Sequence, residues 1–214
     1  MKKLFLYLLL LTSFNLSAQT NNYSLDFSGA SNDYVSVDPN FGFSNLSGIT
    51  FSVWIKKPSI NTGCCINGYI LDFSDGICDN CWSHRYNIGQ NNGSFIFGLE
   101  GSSGTSWNVQ ASASSFNNQW IHIVGTADLV SGNAKIYING SIAATSTIVG
   151  SDISLGIGNT FSKVLGDRSI TLNRGYDGLL DNISIFNYSF TDQEVLNFYN
   201  SPCLNGNETG LIGY

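Results

Sequence analysis

Two alternating apolar runs that meet at Asn139-Gly140 constrain this chain more than any other feature. Lys135-Ile136-Tyr137-Ile138 and Ser141-Ile142-Ala143 flank two residues that tolerate positive φ, which a two-residue type I′ hairpin turn requires at both positions. The same pattern of short runs broken by Gly, Asn and Asp recurs along the chain. Tyr23, Leu25 and Phe27 alternate with polar neighbours, as do Phe51, Val53 and Ile55. Further runs are Tyr69 to Phe73, Tyr86 to Ile88, Phe95 to Leu99, Trp107 to Ala111, Trp120 to Ala127, Ile153 to Ile157 and Leu180 to Phe186. A period of two buries one face of a strand and leaves the other wet. Only Thr191-Asp192-Gln193-Glu194 reads as a helix start. It is a capping box, followed by Val195, Leu196, Phe198 and Tyr199 on one face. Ten or more short strands and one short C-terminal helix predict an all-β, antiparallel two-sheet sandwich.

The 214 residues suffice for one such domain. Charged residues make up only 11%, and the nine Lys and Arg are scattered through a chain of net charge −6. A nucleic-acid partner needs a clustered basic patch, so that class is excluded as an expectation.

Residues 1–19 read as a secretory signal peptide. Lys2 and Lys3 precede the unbroken apolar run Leu4 to Leu11, and Leu16-Ser17-Ala18-Gln19 ends in small and polar residues suited to cleavage. That run is too short for a membrane span of about 20 residues, and no later segment supplies one. The expected location is therefore secreted or cell-surface, with no transmembrane segment after cleavage. Export also sets the reading of the cysteines. Cys64, Cys65, Cys78 and Cys81 crowd one stretch while Cys203 stands alone. In an oxidising compartment disulfides are the expected outcome. A bridge between adjacent cysteines is strained, so Cys64 and Cys65 each pair with one of Cys78 and Cys81, in either order. Zinc is the weaker reading, because adjacent cysteines chelate awkwardly.

Five segments, in order, resemble laminin G-like jelly-roll domains of the concanavalin A-like lectin/glucanase superfamily. They are Leu25-Asp26-Phe27-Ser28-Gly29 with Asp33-Tyr34-Val35, then Phe51 to Lys56, Trp120 to Val124, Lys135 to Gly140, and Gly178 to Asn187 running into the capped helix. The two ends of the signal are similar to those of proteins exported by Bacteroidetes-type bacteria. The resemblance implies a jelly roll over residues 20–201. Residues 202–214 read as a linker and, from Gly210-Leu211-Ile212-Gly213-Tyr214, the opening of a further domain in a longer protein.

The resemblance also implies a structural calcium, held by a carboxylate after the first-strand Phe, a carbonyl near Lys56 and a closing-strand Asp. Asp181 is retained, and alternation with Ile183 and Ile185 aims it at the inner face. Ser28 stands where the carboxylate is usual, which weakens such a site because affinity rises with ligand charge. The expected ligand set is Ser28, Lys56 and Asp181.

Catalysis is not expected. Retaining glycosidases need two carboxyls about 5–5.5 Å apart, and the three glutamates Glu100, Glu194 and Glu208 lie far apart in sequence. His122, between Ile121 and Ile123, reads as a hydrogen-bonded structural histidine. Trp54 and Trp120 occupy positions that the resemblance assigns to core packing. Sugars are gripped by aromatic faces with hydrogen-bonding neighbours, and Trp82, Tyr86 and Trp107, beside loop signals, are the candidate contacts. The expected function is a non-catalytic recognition module for a glycan or an extracellular protein. The alternatives are an accessory domain of a secreted glycoside hydrolase and a structural spacer in an adhesin-like array.

Overall fold

The computed structural model describes residues 23–30, 32–38, 40–60, 66–74, 85–100, 106–148, 153, 155–158, 162–169, 171–172 and 174–214. The signal segment, the four clustered cysteines, Trp82 and His84 lie outside them. In chain order the strands are β1 (Leu25–Ser28), β2 (Val35–Ser36), β3 (Phe43–Leu46), β4 (Gly48–Lys56), β5 (Ile66–Ser74), β6 (Arg85–Asn91), β7 (Ser94–Glu100) and β8 (Ser106–Ser112). They continue as β9 (Trp120–Asp128), β10 (Asn133–Ile138), β11 (Ser141–Thr147), β12 (Leu155–Ile157), β13 (Ser162–Leu165) and β14 (Asp177–Phe186). The helix α1 (Asp192–Asn200) and a last strand, β15 (Leu211–Gly213), close the chain.

Two antiparallel sheets face each other. One runs β1-β14-β4-β9-β10-β11 with β15 added to β14, and the other runs β2-β13-β5-β6-β7-β8; β3 and β12 form a small two-stranded sheet. The inward rows interlock across the interior. Leu180, Ile55 and Ile121 pair in one row of the first sheet, and Leu71, Ile88, Phe97 and Val109 in one row of the second. All of them belong to a single buried core. This is the antiparallel two-sheet sandwich that the alternation predicts, in the jelly-roll form that the resemblance implies.

The hairpin that anchors the sequence reading forms as expected. Asn139 (φ 51°) and Gly140 (φ 76°) make the turn between β10 and β11, and Ile138 pairs with Ser141 across it. Helix α1 is capped as read, with the Glu194 N–H donating to Thr191 Oγ1 at 3.3 Å and the Thr191 N–H donating to Glu194 Oε2 at 2.7 Å. The helix packs on the outer face of the first sheet through Val195. With Phe198 it joins Val124, Tyr137, Phe186 and Phe190 in a second apolar cluster.

In the tail, residues 211–213 pair with this domain's own β14, with Gly213 opposite Ile185. An apolar Leu-Ile pair beside a free strand edge is completed more readily by that edge than by solvent. Cys203, in the segment leading to β15, is a free, exposed thiol.

Candidate functional site: the polar face of the six-stranded sheet

The side chains turned away from the core on the six-stranded sheet are mainly polar. Asp72, Asn87, Gly98 and Asn108 fall in one cross-strand row. Arg85 lies opposite both Ser74 and Glu100 in the next, and Gly89, Ile96 and Gln110 share a third. Paired residues share a face because the pleat alternates, so the rows form one surface. Its β5 side is covered and its β8 side is open. Beyond β13 the chain runs along β5, with the Gly166 N–H donating to Ile70 O at 3.0 Å and the Tyr69 N–H to Arg174 O at 3.2 Å. At the other side Asn108 and Gln110 are exposed, linked by a 2.9 Å bond from Gln110 Nε2 to Asn108 Oδ1.

Asp72 is the electrostatic centre of the covered side. It is fully buried, and its Oδ2 accepts from the Ser169 N–H at 2.8 Å and from Ser169 Oγ at 2.6 Å. Arg85 Nε stands 3.0 Å from Asp72 Oδ1, and Arg85 Nη1 stands 3.7 Å from Glu100 Oε2. The Nε–Oδ1 approach is an ion pair whose alignment falls short of a hydrogen bond. Burial pushes the Asp72 carboxyl above the ordinary range, and Arg85 and the Ser169 bonds oppose it. Burial likewise raises Glu100, again opposed by Arg85.

Beside this network lies Asn87, only 5% exposed, whose Oδ1 has no hydrogen-bond partner among the described residues. Its cross-strand neighbour is Gly98, and a Cβ there would come within 3.0 Å of that oxygen. The absent side chain leaves the amide room. A buried acceptor without a donor costs about 1–3 kcal/mol, so a donor from outside would be rewarded here.

Asp72 and Glu100 are two carboxylates on one face, a pairing that the search among glutamates missed. It does not make a hydrolytic pair. Asp72 is sealed beneath Ser169 and neutralised by Arg85, so it has no access to a glycosidic oxygen. The remaining glutamates serve elsewhere: Glu194 in the helix cap, and Glu208 accepting from the Asn205 and Gly206 N–H groups.

The other residues singled out in the sequence fall in three places. Tyr86 and Trp107 point into the core, at 1% and 5% exposure. The Tyr86 hydroxyl donates to Gly156 O at 3.0 Å and accepts from its N–H at 2.9 Å, and Trp107 Nε1 donates to Thr147 O at 2.8 Å. Neither presents a ring face to a ligand, because both belong to inward rows of their strands. On the outer face of the seven-stranded sheet, Trp54 stacks between His122 and Tyr199, with ring centroids 5.1 and 5.6 Å away. Trp54 therefore packs outside the sheet, under the helix end, and Trp120 is 40% exposed instead of in the core. His122 is fully buried, with Nε2 2.7 Å from Ser52 Oγ, and burial lowers it to about 4.

The expected calcium ligands do not converge. Ser28 is level with Asp177 on β14, Lys56 with Leu179, and Asp181 lies two residues further on. At about 3.3 Å per residue that is a span of roughly 13 Å, whereas one calcium reaches only about 2.3–2.6 Å to each oxygen. Ser28 Oγ instead donates to Asp33 Oδ2 at 2.7 Å, and Asp181 Oδ1 accepts from the Asn182 N–H at 2.7 Å. The inward alternation assigned to Asp181 fails because β14 shifts register between Asp181 and Ser184, with Asn182 at φ 47°. Leu180 turns inward instead. These three residues do not fit the ion, and among the described residues no group of three acidic, His or Cys side chains does.

Fold and face together define a lectin-type sandwich. Over residues 28–196 the chain matches the family described as the concanavalin A-like lectin/glucanases superfamily, and it belongs to that superfamily. No curated protein matches it significantly in sequence. Its fold is similar to the botulinum neurotoxin serotype G binding domain, at 18% identity and TM-score 0.59, over 80% of this chain and 41% of that one. The native heptameric SAP-like pentraxin from Limulus polyphemus aligns at 18% identity and TM-score 0.58, over 82% and 81%. The botulinum neurotoxin serotype D ligand binding domain, solved in complex with N-acetylneuraminic acid, aligns at 20% and 0.59, over 83% and 41%. The chain thus spans less than half of the toxin domains. At these identities the likeness is one of fold.

Proposed function

We propose that this domain is a non-catalytic recognition module of an exported or cell-surface protein, and that it binds carbohydrate on the polar face of its six-stranded sheet. The observation that carries the reading is Asn87. Its orphaned, buried Oδ1 sits opposite Gly98, between the Asp72–Arg85–Glu100 network and the exposed amides of Asn108 and Gln110. A sugar hydroxyl is the donor such an acceptor lacks, and neighbouring amides can bond adjacent hydroxyls. Charge on this face is mixed, which suits a polyhydroxylated ligand better than a nucleic acid. Asp72 holds Arg85 in place instead of donating a proton, so the reading is binding and not hydrolysis.

A glycan array on the purified protein, followed by titration of the best ligand, tests it. Wild type should retain at least one glycan, and Asn87→Leu should weaken that ligand tenfold or more while the melting temperature stays within a few degrees. An array without hits, or an Asn87→Leu protein that binds as wild type, sinks the assignment. Release of reducing sugar during the titration would replace binding with hydrolysis.

A further inference from the structure

The sandwich has an opening unrelated to the polar face. Where the two sheets end at β1 and β2, a cavity of about 560 Å³ runs between them, within the ~300–1,000 Å³ range of small-molecule pockets. Its floor is core side chains from both sheets: Phe73, Leu165, Leu180 and Ile185. Leu204, Gly213 and Tyr214 of the returning tail line it as well. Among the described lining residues only Asp38 and Asp181 are charged, and no Lys, Arg or His lines it. Lys163 lies near enough to Asp38 to interact with it electrostatically. Asp181 has one oxygen on its neighbour's N–H and no basic partner within ion-pair distance among the described residues. Its carboxylate is the anion left for an incoming charge.

We infer that this cavity binds a single-chain amphiphile with a cationic head, its apolar chain between the sheets and its head at Asp181. The walls supply apolar area without hydrogen-bonding groups at depth, which selects a hydrocarbon chain over a sugar. The lining selects positive over negative because Asp181 keeps a carboxylate that no lining base offsets. A peptide fits less well. The β14 edge it would pair with is already occupied by β1 at Leu180 and by β15 at Ile185, so too few free backbone groups remain to hold a strand.

Three probes of matched chain length separate head charge from chain: octylammonium, octanol and octanoate, titrated into methyl-labelled protein and read by NMR. The methyls of Leu180, Ile183 and Ile185 should shift with octylammonium, with a dissociation constant at least fivefold lower than for octanoate. Asp181→Asn should narrow that difference to less than twofold. Ile183→Trp, which fills the cavity, should abolish the shifts of all three probes. Equal affinity for the three probes would overturn the inference, as would shifts mapping elsewhere or binding that survives Ile183→Trp. A capped Leu-Leu-Lys peptide that binds more tightly than octylammonium would replace the amphiphile with a peptide partner.

Discussion

The two sheets finish their outer faces in opposite ways. On the seven-stranded sheet, α1 and the segment before it lay Phe190, Val195 and Phe198 over Val124, Tyr137 and Phe186, and Tyr199 closes on Trp54 and His122. That face becomes a second core. On the six-stranded sheet the corresponding rows carry Asp72, Arg85, Asn87 and Glu100, with a guanidinium and carboxylates held by one another. The comparison shows how one architecture divides its work. A face sealed by a helix adds stability, while a face left polar is available for recognition only if its buried charges are balanced internally. Removing one partner of such a balance should harm the fold more than trimming the sealed side's polar details.

The largest expected effect follows directly. Asp72→Ala removes the buried carboxylate that Arg85 is paired with and should cost about 3–5 kcal/mol in denaturant unfolding. A loss below 1 kcal/mol would mean that the network is solvated and that the two faces do not differ as described. Second comes His122 on the sealed face. Its pKa falls to about 4 from an unfolded value of 6.5, so the unfolded chain takes up a proton that the folded one refuses. Stability is then full above pH 6.5 and declines as pH falls toward 4, by at most about 3 kcal/mol. Urea unfolding of wild type and His122→Phe at pH 7 and pH 4.5 should show the slope in wild type and a flatter one in the variant. If the slopes match, His122 is not the group that titrates.

Third, Thr191→Ala removes the cap that seats the sealing helix and should cost about 1 kcal/mol, measurable as a lower melting temperature. Glu100→Gln sharpens the contrast within the polar face itself. Glu100 is 34% exposed and 3.7 Å from Arg85, so its loss should stay below about 1 kcal/mol. A cost equal to that of Asp72→Ala would show that the open side of the face is as structural as the covered side.

How far the sequence was legible depends on the distance over which each signal acts. Asn139-Gly140 fixed a hairpin because both φ angles are properties of those two residues. Thr191 and Glu194 announced their helix because a capping box closes within four residues. Trp107 and Tyr86 were misplaced, since an aromatic beside a turn signal reads alike whether its row faces the core or the solvent, and row identity is set by partners dozens of residues away. Asp181 failed for a related reason. Alternation counted from Ile185 puts it inward, and one bulge reverses the count. Asn87 left only a polar residue at period two, which any wet strand face would also produce.

The sequence by itself therefore determined most of the longer strands, the hairpin turn, the helix cap and the class of sandwich, since period, turn chemistry and capping are local and repeat often enough to agree. Only the tertiary structure decided that Asp72, Arg85 and Glu100 share a face, that Asn87 looks across at Gly98, and that the tail closes on β14 beside a cavity between the sheets. Those juxtapositions arise from cross-strand register, in which a shift of one residue exchanges inside for outside, and a linear string of residues carries no local record of it.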